Sequence, residues 1–161
     1  MAGGPGVRAA AAMFLLGPAA IHFAVAPEHL RVYLPYGLFF ILVGLLQVAI
    51  AAAVVLRPSP RILLGGAAGS LLVIAIWLVS RTAGLPIGPT PGIPEPIGLA
   101  DLLATLMEWV SVVLLVVADA RLDRRRPFRA IRTTIGLTPV AAISLLLTVA
   151  AIGAVGATAG H

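Results

Sequence analysis

Long apolar runs, each cut from the next by proline or charge, set the pattern of this chain. They cover about residues 7–26, 34–56, 62–80, 99–118 and 135–158. A helix needs about 20 apolar residues to cross a bilayer core of ~30 Å. Inside lipid the backbone can bond only to itself, so each run is expected to be helical. The pattern predicts an all-α integral membrane bundle of about five transmembrane helices, folded as one domain over 1–161. Turn chemistry separates the spans: Pro27 follows the first, Pro58 and Pro60 divide the second from the third, and Pro127 precedes the fifth. The stretch 83–98, AGLPIGPTPGIPEPIG, holds five prolines and four glycines and is too broken for a helix. It is expected to be non-helical yet ordered, folded over the outer mouth of the bundle, with Arg81 and Glu95 placed to clasp its ends.

Composition agrees with a lipid environment. Of 161 residues 60% are hydrophobic and 11% charged, against about 25% charged in a soluble domain. Mean hydropathy is +1.09. With no cysteine, a disulfide framework, a thiolate metal site and a cysteine nucleophile are all excluded. The eleven basic residues are all arginines, and their distribution fixes an expected orientation. With five spans, Arg8, Arg57, Arg61, Arg121, Arg124, Arg125, Arg126, Arg129 and Arg132 fall on one side, and only Arg31 and Arg81 on the other. The arginine-rich side is expected to be cytoplasmic, which puts the N-terminus inside and the C-terminus outside a bacterial plasma membrane. The segment 119–134 carries six arginines and two aspartates and reads as a cytoplasmic anchor. It is placed to touch anionic lipid, at ~1 kcal/mol per arginine, and is not read as a nucleic-acid site. Ala24-Val25-Ala26 resembles a signal-peptide cleavage site. Proline at 27 opposes cleavage there, and either outcome leaves the orientation unchanged.

Ionisable groups inside a membrane cost at least ~2.5 kcal/mol each and are functional candidates. His22 in the first span and Asp101 and Glu108 in the fourth qualify, with His29, Glu28 and Glu95 just outside. His22 and His29 are seven residues apart, as are Asp101 and Glu108. Seven residues make two helical turns, ~10.5 Å, with both groups on one face. Since the first span runs outward and the fourth inward, His22 is expected to face Glu108, and His29 to lie near Asp101. Helix termination at Pro27 would break the second pairing. His22, His29, Asp101 and Glu108 together suit a divalent transition metal such as zinc, copper, iron or manganese. The Glu-x-x-His spacing of di-iron bundles is absent. The same groups suit proton or small-solute handling, or a polar pair that only fixes helix packing. Gln47 reads as a packing hydrogen bond or a lipid-facing amide near the inner side. Gly65, Gly66 and Gly69 permit close helix contact, and Trp77, Tyr33 and Tyr36 fit an outer aromatic belt.

No phosphate loop, nucleophile elbow, HExxH or dinucleotide fingerprint occurs, so an enzyme ranks below a binding or accessory protein. Two stretches carry a resemblance. One is Ile21-His22-Phe23 through Ala26-Pro27-Glu28-His29, then Pro35-Tyr36-Gly37-Leu38-Phe39-Phe40 and Gly44-Leu45-Leu46-Gln47. The other is Ser80-Arg81-Thr82-Ala83-Gly84-Leu85-Pro86 through Gly92, Pro94-Glu95-Pro96, Gly98 and Asp101. Over residues 20–110 the chain resembles small uncharacterised multi-pass membrane proteins of actinobacterial type. That resemblance implies no activity and marks the outer loops as distinctive. The sequence thus supports a small polytopic protein with a polar, metal- or solute-binding site on its extracytoplasmic side. The alternative is a structural or accessory subunit, partnered by another membrane protein or by its own copy.

Overall fold

The computed structural model describes residues 3–122 of the chain. They form four helices: α1 (Gly3–Val32), α2 (Leu34–Leu56), α3 (Pro60–Thr82) and α4 (Leu99–Leu122). Each is long and apolar enough to cross a membrane. Among the described residues the protein is an all-helical membrane bundle. The expected fifth span, 135–158, and most of the arginine-rich segment 119–134 lie outside the described residues.

Local chemistry sets the helix ends. Ser59 caps α3 by accepting the Ile62 amide at 3.3 Å, with proline in the first turn. At the start of α4, the Asp101 carboxylate reaches back to accept the Gly98 amide at 3.1 Å, the acidic half of a capping box. Only Tyr33, in extended conformation, separates α1 from α2. The first helix differs from expectation at Pro27. It runs through Pro27 to Val32. Proline deletes one backbone donor, and membrane helices tolerate this where neighbours shield the freed carbonyl.

Helix α1 packs against α2 and α4, α3 packs against α4, and α2 and α3 barely touch. The α1–α4 pair is thus central, with α2 and α3 flanking it. One half of the bundle is solid. Ala11, Ala12, Leu15, Ala51, Val54, Leu63, Ala67, Val112, Leu115 and Ala118 form a continuous buried cluster at the end remote from the 83–98 loop. Small residues at these crossings let backbones approach where lipid supplies no hydrophobic drive. Outside, Leu38, Leu42, Leu45 and Leu46 of α2 and Leu72 of α3 are exposed, as a lipid-facing surface requires.

The glycines divide sharply. Gly66 lies against Ile50 and Leu115, whereas Gly65 and Gly69 face open space. The small-residue pattern therefore serves helix contact in the described bundle at Gly66 alone. Gly37 is tighter still, since a Cβ there would sit 2.6 Å from the Leu30 backbone nitrogen. Gly37→Ala is expected to cost about 1–3 kcal/mol by overpacking the α1–α2 corner, and Gly65→Ala almost nothing. Thermal unfolding in detergent checks this contrast. Equal melting temperatures for the two variants would refute the packing assigned to the corner.

Candidate functional site

The half of the bundle nearest the 83–98 loop is hollow. A cavity of about 350 Å³ lies among all four helices. Phe39 and Phe40 from α2, Trp77 from α3 and His22 and His29 from α1 form much of its wall. Thr105 and Glu108 of α4 also line it. The loop contributes Leu85, Pro86, Ile87 and Glu95.

Glu108 is the most buried ionisable group among the described residues, 1% exposed. The Gln47 amide donates a hydrogen bond to its Oε1. His22 Nε2 lies 3.7 Å from the same oxygen, with the imidazole itself buried. Three helices thus converge on one carboxylate. Glu108 Oε2 and His22 Nε2 are buried and have no hydrogen-bond partner among the described residues. Below them, Ser70 and Ser111 share a hydrogen bond of 3.0 Å, and Ser111 also donates to the Glu108 carbonyl at 2.8 Å.

The expected His22–Glu108 juxtaposition is present, and the extension of α1 explains it. His22 lies ten residues before Val32, and Glu108 nine after Leu99. Both are therefore about 14–15 Å from the loop ends of their helices at 1.5 Å per residue. Ending α1 at residue 26 would have left His22 too shallow.

His29 and Asp101 find other partners. His29 Nδ1 is 2.9 Å from the Val25 carbonyl oxygen, and its ring centroid is 4.5 Å from that of Phe40. Phe40 also approaches His22, at 5.5 Å, so the seven-residue spacing places both imidazoles against one aromatic ring. Asp101 is engaged by Arg81, whose guanidinium reaches Asp101 Oδ2 at 2.8 Å and Glu95 Oε2 at 2.6 Å. Among the described residues no three His, Asp or Glu side chains gather as a metal-ligand set. Of the four candidates, only His22 and Glu108 meet as a side-chain pair.

Arg81 organises the mouth. Its ion pair with Glu95 is the clasp anticipated from sequence, and Asp101 makes it three-membered. The loop is non-helical over 83–98 and is fastened elsewhere too. The Glu95 amide donates to the Ser80 carbonyl at 3.0 Å, and Gly92 to Leu85 at 2.8 Å. The Tyr36 hydroxyl donates to the Ile87 carbonyl. Gly84 takes φ +74° where the chain crosses the Gly92–Ile93 backbone, a conformation that favours glycine.

Sequence reasoning left Gln47 between two readings. It is buried, 5% exposed, and bonded across the bundle to Glu108, so the lipid-facing reading is wrong. Its signal was available: it is the single strongly polar side chain in the most apolar span. Compared with known proteins, the chain matches no family model, no curated protein and no solved structure, so the reading of this site rests on its own geometry.

Proposed function

We propose that this membrane protein binds a small, mainly apolar molecule in the hollow half of its bundle, with Glu108 and His22 reading the polar end of the ligand. One observation carries the reading. Two buried polar groups with open hydrogen-bonding atoms sit at the floor of a cavity whose walls are mainly apolar and aromatic and whose mouth is charged. An unsatisfied buried polar group costs about 1–3 kcal/mol, and a ligand that satisfies it recovers that cost. A cavity of a few hundred Å³ with few convergent polar groups is the general form of a small-molecule site. The solid packing at the opposite end favours a blind pocket over a through-channel. The arginine distribution along the sequence supports a mouth on the extracytoplasmic side.

A second reading has its own observation. Gln47, Glu108 and His22 tie α2, α4 and α1 together, and such a clamp alone would suit a structural or accessory subunit.

Because the chain lacks cysteine, one introduced thiol tests both points. Thr105→Cys should react with a neutral benzyl methanethiosulfonate, and with a membrane-impermeant cationic methanethiosulfonate added outside intact spheroplasts. Ala51→Cys, in the solid half, should resist both. Labelling of Thr105→Cys only after the cytoplasm is opened would reverse the orientation. Inertness to both reagents would leave the structural clamp as the function.

A further inference from the structure

We infer that the ligand class is a protonated amine carried on an apolar body, with the ammonium on Glu108 and the body among Phe39, Phe40 and Trp77. This inference rests on the binding reading above and narrows it.

Charge is the first argument. Among the described residues, the ionisable carboxyls lining the cavity are Glu95 and Asp101 at the mouth and Glu108 at the floor, against one guanidinium, Arg81, and the imidazoles of His22 and His29. Arg81 is already engaged by both mouth carboxylates. The floor carboxylate has only the Gln47 amide and the nearby imidazole, 3.7 Å away and beyond hydrogen-bond distance. An anion would meet carboxylates along the whole path. A cation meets attraction at the mouth and, at the floor, a carboxyl group that can become its counter-charge, where low polarity strengthens a charge-assisted hydrogen bond.

Hydrogen-bond inventory is the second argument. Glu108 Oε2 can only accept when ionised, and it has no partner among the described residues. The Thr105 hydroxyl gives its proton to the Asp101 carbonyl at 2.8 Å, which leaves its oxygen free to accept. A neutral imidazole accepts at whichever nitrogen lacks the proton. Glu108 Oε2 and the Thr105 oxygen are open acceptors at the floor, against the open Trp77 Nε1–H donor on the wall and an imidazole that can play either part, and an ammonium brings three donors.

The walls are the third argument. Tyr36, Phe39, Phe40 and Trp77 all line the cavity, and aromatic faces attract cations within about 6 Å of the ring centroid. At about 350 Å³ the space suits a body of one or two rings, given that a cavity of about 150 Å³ accepts benzene.

The test uses the full chain in lipid nanodiscs, with Trp109→Phe so that Trp77 is the remaining tryptophan. Three probes of matched shape are titrated: 2-phenylethylammonium, uncharged propylbenzene and 3-phenylpropanoate, with concentrations referred to the lipid phase. The ammonium should shift Trp77 emission saturably and bind at least about tenfold more tightly than propylbenzene, with the carboxylate weakest. Glu108→Gln, an isosteric change whose folding is checked by its melting temperature, should reduce the preference to about threefold or less. Propylbenzene or 3-phenylpropanoate binding as well as the ammonium would overturn the amine class while leaving the cavity reading intact. An unchanged preference in Glu108→Gln would overturn the role given to Glu108. No saturable response to any probe would overturn the cavity reading as well.

Discussion

Arg81→Leu should unfasten the loop that roofs the cavity. The Arg81 side chain is 11% exposed, and its guanidinium holds together the Glu95 and Asp101 side chains, at 35% and 29% exposure. Removing it leaves two carboxylates facing each other with no cation between them. Breaking a fully buried ion pair costs about 3–5 kcal/mol. Partial solvent access to both carboxylates reduces this to roughly 1.5–3 kcal/mol. The amide of Glu95, which donates to the Ser80 carbonyl, reports the change directly. Its hydrogen exchange should accelerate about ten- to hundredfold if local opening of the loop governs it. Arg81→Lys should fall between, because one ammonium cannot hold two carboxylates in the forked geometry of a guanidinium. Unchanged exchange in Arg81→Leu would mean that the Tyr36–Ile87 hydrogen bond and the proline-fixed backbone hold the loop without the clasp.

What sequence revealed and what it concealed follow from the range of each interaction. The helices were legible because each span is a contiguous apolar run whose length the bilayer dictates. The second was expected over 34–56 and lies at Leu34–Leu56. The first ran past its expected end because Pro27 breaks a helix in water more readily than within a shielded bundle. His22 and Glu108 were legible as a pair from burial cost and matching depth. His29 with Asp101 was not. The same seven-residue rule placed them together, but it could not see Arg81, twenty positions earlier in sequence, taking Asp101. Gln47 stayed ambiguous for a related reason. Helix α2 is apolar all round, with Leu38, Leu42, Leu45 and Leu46 exposed, so no polar stripe marks which face turns inward. Only the three-dimensional packing of α2 on α1 decides that.

The central clamp should prove a poor stabiliser for its position, as expected of a carboxylate kept for the proposed binding rather than for packing. Glu108→Leu removes the acceptor for the Gln47 amide, 5% exposed in the bundle. An orphaned buried amide costs about 1–3 kcal/mol, so this variant should melt below the natural protein. Removing both partners is different. Gln47→Leu with Glu108→Leu replaces two buried hydrogen-bonded groups by apolar ones of similar size, and such replacements can be nearly neutral or stabilising. The double variant should therefore regain, or exceed, the natural melting temperature while losing the preference for a cationic probe. A double-mutant cycle in detergent, read as melting temperature, gives the coupling between the two sites, expected at about 1–3 kcal/mol. The opposite outcome, a double variant that melts lower than Glu108→Leu alone, would assign the cluster to packing. The cavity would then be a by-product of how three helices meet around Glu108.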